Sequence, residues 1–115
     1  MRIWISNRQR KTALSQTKLR RKAGKILNAL GWSKGELSLT LLGDRAMARL
    51  NRETFGRRGP TNVIAFPVDN APTAGGPPPL LGEVVISVET TVRQAKESGW
   101  ATEELFDFYL IHGIL

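Results

Sequence analysis

The sequence predicts an α+β domain, one mixed four-stranded sheet with helices packed on it. Three observations carry this. Short alternating apolar stretches interleave with stretches whose apolar residues recur every three or four positions, in the order β-α-β-α-β-β-α-α. A chain of 115 residues with 41% hydrophobic content is sufficient for one packed core, so 1–115 reads as a single domain. There is no cysteine and no apolar run of about 18 residues, which excludes disulfides, thiolate metal sites and a membrane-spanning helix. MRIWISNRQRKT has no apolar leader, and the chain is expected to be cytoplasmic.

RIWISNRQ opens the chain as a strand, with Ile3 and Ile5 alternating with polar neighbours. SQTKLRRKAGKILNALGW then sets Leu19, Ala23, Ile26, Leu27 and Leu30 on one helical stripe, with Ser15 to cap the start and Gly31 just past the end. ELSLTLL alternates Leu37, Leu39 and Leu41, a half-buried strand. DRAMARLNRETFG predicts a helix with Asp44 as N-cap and Ala46, Met47 and Leu50 inward. PTNVIAFP predicts a short buried strand bounded by prolines. The Pro/Gly density of 69–80 predicts a flexible loop.

LGEVVISVE is nearly continuous in apolar residues and reads as a strand internal to the sheet. TTVRQAKESG continues as a helix with Val88, Val92 and Ala95 inward and Gly99 at its end. TEELFDFYLIHGIL closes the chain as a helix, with Thr102 as N-cap and Glu103 and Glu104 at the positive end of its dipole. Leu105, Phe108, Tyr109, His112 and Leu115 form the stripe expected to face the core. No capping residue follows Leu115, so this last core helix reads as cut short.

The charge is unevenly divided. Of the seventeen Lys/Arg, fifteen lie in residues 1–58 with three of the ten Asp/Glu, a balance of +12; residues 59–115 carry −5. A basic face attracts polyanions by releasing counterions from phosphates. Lys18, Arg21, Lys22 and Lys25 lie on the polar side of the first helix, and its period suits a nucleic-acid contact and a solvated face equally. NRETFGRRGPTNVIAF adds a basic loop, in which Arg57 and Arg58 suit phosphate contact. Thr61 and Asn62 after it either orient a substrate in a cleft or form an Asx-type turn.

His112 is the only histidine. On an apolar helix face a single histidine reads first as a core residue, since a zinc site needs three or four donors. Glu83, Glu89 and Asp107 have no ligand-like spacing toward it.

Taken together, LNRETFGRRGPTNVIAFP, LLGEVVISVETTVRQA and the terminal HGIL, in this order, resemble the YbeY-type endoribonucleases. The resemblance covers residues 36–115 well and the ISNRQ opening more loosely. It implies a zincin-like fold and a bacterial, zinc-dependent, single-strand-specific endoribonuclease. It also implies a role in ribosomal RNA maturation, at the 3′ end of the small-subunit RNA, and in ribosome quality control, with ribosomal RNA or ribosomal subunits as partners and neither membrane nor DNA. The zinc would polarise a phosphate oxygen or activate a bound water.

Family members hold zinc with three histidines in the pattern H-G-x-L-H-x-x-x-x-x-H. His112, Gly113 and Leu115 match its start. The second histidine would be the residue after Leu115 and the third six further on, so these 115 residues supply one ligand of three. The resemblance thus implies a C-terminally truncated chain, inactive alone, with apolar surface exposed near 108–115. The family's loop arginine falls on Phe55, leaving Arg57 and Arg58 as nearby substitutes and the catalytic arginine unassigned. Gly113 stands where an HExxH peptidase has its glutamate, which disfavours peptide hydrolysis. The alternative reading is a non-catalytic RNA- or ribosome-binding module that uses the basic half alone.

Overall fold

The elements run β1 (Arg2–Asn7), α1 (Gln16–Ala29), β2 (Glu36–Leu42), α2 (Asp44–Phe55), β3 (Val63–Pro67), β4 (Leu80–Ser87), α3 (Val88–Ser98) and α4 (Thr102–Ile114). The computed structural model describes residues 2–31, 36–67 and 80–114. The Pro/Gly segment expected to be a loop lies outside the described residues, except Leu80, which opens β4.

The four strands form one sheet in the order β1-β2-β4-β3. β1 pairs with β2 and β2 with β4 in parallel, whereas β3 runs antiparallel to β4. The sheet is therefore mixed, and β4 is internal, as its apolar run requires.

Side chains of period two sort onto two faces. Ile3, Leu37, Leu39, Leu41, Val84 and Ile86 point to one face and meet Leu19, Ala23 and Leu27 of α1 with Phe106 and Leu110 of α4. On the other face Leu42, Ile64 and Val85 pack on Met47 of α2, with Leu50 and Phe66 at the margin. The sheet is thus covered fully on the α1/α4 side and by one helix on the α2 side.

Local chemistry sets the helix ends. The Ser15 side chain accepts from the Lys18 amide at the start of α1, and Gly31 follows its end with φ 86°. Ser87 caps α3 by accepting from the Thr90 amide, and Gly99 ends it in the left-handed conformation.

Several expectations are corrected. Leu30 is 42% exposed, because α1 ends at Ala29 and its last turn has run past the sheet. Ala46 faces solvent, since α2 buries only the arc around Met47 and Asn51. β3 is an edge strand rather than a buried one, with Ala65 exposed. Asp44 is the first residue of α2; its N-cap is Gly43, which has no side chain to offer. Thr102 likewise lies inside the first turn of α4.

Candidate functional site

α4 meets α1, α3, β3 and β4. Leu105, Phe106, Tyr109 and Leu110 are its buried residues. The stripe expected from spacing is therefore wrong at two positions. Phe108 is 52% exposed and His112 is exposed, with Ile111 beside it at 43%. The physical reason is that α4 is apolar almost all round, so its sequence does not mark one face. Packing against four neighbours selects the arc from Leu105 to Leu110 instead. Leu115 lies outside the described residues.

Gly113 explains how the His112 end of α4 reaches the sheet. A Cβ at this position would stand 2.6 Å from Val84 Cγ1 and 3.1 Å from Val63 Cγ2. These are branched side chains fixed in the sheet, so only glycine allows so close an approach. Val63 directly follows Asn62, so the end of α4 carrying His112 and the Thr61–Asn62 segment come together at the start of β3.

Both polar candidates there are half-buried. Asn62 Oδ1 accepts from the Val63 amide at 2.7 Å, and its carbonyl accepts from the Ser87 amide at 2.9 Å. Its side-chain oxygen thus helps to start β3. Arg57 and Arg58 are exposed in the turn after Gly56, which ends α2 in the left-handed conformation. Buried Asn51 donates to the Gly59 carbonyl at 2.9 Å and ties this turn to α2. Phe55 is 53% exposed at the end of α2.

The candidates on α1 divide. Lys18, Arg21 and Lys25 are exposed. Lys22 is paired with Glu103 at 2.8 Å and Asp107 at 2.9 Å. Partial burial draws its pKa down, but the hydrogen bonds and charges of Glu103 and Asp107 outweigh this and leave it raised. Glu103 is about 13 Å along the helix axis from His112, so this pair lies at the far end of α4.

Among the described residues no three His, Cys, Asp or Glu side chains gather to hold a metal ion. One exposed imidazole is not by itself a zinc donor set. No helix among them is long and apolar enough to cross a membrane.

Sequence reading missed a constellation at the C-terminal ends of the parallel strands. Asp44 Oδ1 accepts from Thr90 Oγ1 at 2.6 Å and from Ser87 Oγ at 3.3 Å, and Oδ2 accepts from Arg93 Nη1 at 2.7 Å. Burial pushes the Asp44 carboxyl up, but Arg93, Thr90 and Ser87 more than offset this and hold it below its ordinary value. Glu89 accepts from the Asp44 amide at 3.1 Å and pairs with Lys11 at 3.1 Å.

Beside this constellation runs a cleft of about 420 Å³, lined by Arg8, Arg10 and Lys11 from the turn after β1 and by Arg45 and Arg49 from α2. The signals were an arginine pair four apart on a helix and a basic run just after a strand; only the sheet order brings them together.

A family model described as Endoribonuclease YbeY matches residues 4–115. Proteins named Endoribonuclease YbeY from Geobacter metallireducens and Geobacter sulfurreducens are 40% and 39% identical over 115 residues, and the chain spans 77% of the length of each. A namesake from an Anaeromyxobacter species is 38% identical, and the chain spans 58% of its length. The solution structure of TM1509 from Thermotoga maritima superposes with a TM-score of 0.69 at 21% identity, over 97% of this chain and 69% of that one, which establishes a common fold. The family match over nearly the whole sequence leads to one conclusion: the chain belongs to the YbeY endoribonuclease family.

Proposed function

We propose that this protein is a metal-dependent endoribonuclease that cleaves single-stranded RNA during bacterial ribosomal RNA maturation, at the 3′ end of the small-subunit RNA, and in ribosome quality control. It acts in the cytoplasm, with ribosomal RNA or ribosomal subunits as partners. The observation that carries the reading is the family match over residues 4–115. The exposure of His112 supports a ligand role, because a packed core histidine would be closed to a metal.

In this reading His112 is one of three zinc histidines, the others falling four and ten positions after it. The 115 residues alone offer one such donor and are expected to bind zinc weakly and to leave RNA intact. Arg57 and Arg58, exposed beside the Thr61–Asn62 segment, neutralise phosphate charge near His112. Lys18, Arg21 and Lys25 draw in the RNA from the side of α1.

The concentration of fifteen of the seventeen Lys/Arg in residues 1–58 supports a second reading, a non-catalytic RNA- or ribosome-binding module that uses this basic half. One experiment separates the two. The sequence extended through the two further family histidines is incubated with single-stranded RNA, with and without a chelator, beside His112→Ala. Cleavage abolished by both treatments supports the nuclease. Cleavage that survives both refutes the zinc reading, and tight RNA binding without cleavage establishes the binding module.

A further inference from the structure

The cleft at the strand ends lies away from the His112 region. Leu42 and Val85, beside α2, point to the opposite face of the sheet from Val84, against which Gly113 packs. Its cations are largely uncommitted. Among the described residues, Arg8, Arg10, Arg45 and Arg49 have no carboxylate partner within 4.0 Å, and only Lys11 is paired, with Glu89. Glu89, the one acidic residue of the lining, is already engaged by Lys11 and by the Asp44 amide. The result is a concave surface with a large excess of positive charge and its only anion neutralised.

A second pocket, of about 520 Å³, adjoins it and shares Arg8 and Arg49. Its character is different. Leu42, Leu50, Val85 and Phe66 give it apolar and aromatic surface, and Glu53 and Glu83 add acceptors. Glu83 already accepts from Thr40 Oγ1 at 3.3 Å. Carboxylates disfavour a phosphate here and suit the amino groups of a nucleobase. Free phosphate would need the first pocket only. A charged trough beside an apolar, aromatic pocket matches the alternation of phosphate and base in a single strand.

We propose that these joined pockets form a second binding surface for single-stranded RNA, separate from the His112 region. Arg8, Arg10, Arg45 and Arg49 hold the phosphodiester backbone, and the Phe66 pocket takes a base. The proposal rests on the RNA reading above and extends it. It assigns the main grip on RNA to the ends of the parallel strands, where the α1 residues and the Arg57–Arg58 turn are not.

The test measures binding of a fluorescein-labelled RNA of about 12 nucleotides, a length within the range that such grooves cover. It uses anisotropy at several salt concentrations, with folding of each variant checked by circular dichroism. The double variant Arg45→Ala/Arg49→Ala is expected to bind about tenfold or more weakly. Its plot of log affinity against log salt should be shallower by about 1.4, the change for two lost phosphate contacts on a single strand. Phe66→Leu, which keeps the apolar packing, is expected to weaken binding of this RNA but not of an abasic strand of the same length.

Normal binding by the double variant, with normal wild-type binding, overturns the proposal and leaves the RNA reading standing. No binding by the wild type overturns both. Equal wild-type affinity for RNA and abasic strand overturns the base pocket and reduces the surface to a phosphate site.

Discussion

Glu89 on α3 caps α2: its Oε1 accepts from the Asp44 amide at 3.1 Å, while the Asp44 carboxylate accepts from the Ser87 and Thr90 hydroxyls at the start of α3. Each helix start thus receives a carboxylate from the other. The arrangement supplies what Gly43 cannot, and Gly43 in turn makes room for it, since a Cβ there would stand 2.5 Å from Glu89 Oε1. Glu89→Ala is expected to lower stability by about 1 kcal/mol, the usual worth of an N-cap. Glu89→Gln, which keeps an acceptor, should recover part of the loss. Urea unfolding of the three proteins measures both effects, and equal stability of all three would refute the capping role.

The same cluster predicts how stability varies in acid. The Asp44 carboxyl titrates below its ordinary value of 3.8 in the fold, so the unfolded chain takes up the proton first as pH falls. Its contribution is complete above that ordinary value and disappears as pH falls through the depressed native one. Asp44→Asn should therefore be less stable than wild type at pH 7, and the gap should narrow as pH falls below 3.8. Melting temperatures across this range would show it, and a gap that stayed constant with pH would refute it.

Lys22 separates structural from nucleic-acid roles on α1. Its ammonium is held between Glu103 and Asp107 and titrates above the ordinary lysine value of 10.5. Its stabilisation is present below that value and is lost as pH rises through the raised native one. Lys22→Met should lower the melting temperature at neutral pH and leave RNA affinity within about twofold, because a neutralised pair adds little field. Arg57→Ala/Arg58→Ala should do the reverse, weakening RNA binding with stability changed by less than about 0.5 kcal/mol.

At position 113 the prediction is steric. A methyl group meets Val84 and Val63, and overpacking of this kind costs about 1–3 kcal/mol, against a gain of up to about 1 kcal/mol in helix propensity. Gly113→Ala should be net destabilising, and Gly113→Glu more so. The glutamate of an HExxH peptidase therefore has no space here unless α4 lifts off the sheet. A stabilised Gly113→Ala variant would show that the helix end moves freely.

His112→Ala should leave stability within about 0.5 kcal/mol of wild type, because the side chain is exposed. A core histidine would lose considerably more. Thermal melts thus test placement independently of any activity.

Much of the fold is legible in the residues. Leu37, Leu39 and Leu41 alternate because they share the face of β2 that α1 and α4 cover, and all three are buried. Ser15 and Gly99 mark helix ends through local hydrogen bonding and backbone freedom, and both act as expected. Legibility fails where tertiary context decides. The buried arc of α4 depends on four neighbouring elements, so spacing alone misassigned Phe108 and His112. Asp44 looks like an N-cap, but Ser87, Thr90 and Arg93 lie more than 40 positions away and draw its carboxylate to α3. The basic cleft joins two segments that meet only because β1 and β2 are neighbours in the sheet.

The strand order also has a consequence for how the chain is made. β4 lies between β2 and β3 and is the last strand in the sequence. Until it leaves the ribosome, β1 and β2 can pair only with each other, and β2 presents an open edge. Joining Leu39 to Val84 closes a loop of more than 40 residues, a slow, non-local step. Throughout that interval the emerged portion includes residues 1–58, which carry +12. Mutual repulsion between such nascent chains, and their attraction to the RNA around the exit site, oppose edge-to-edge aggregation until the central strand arrives.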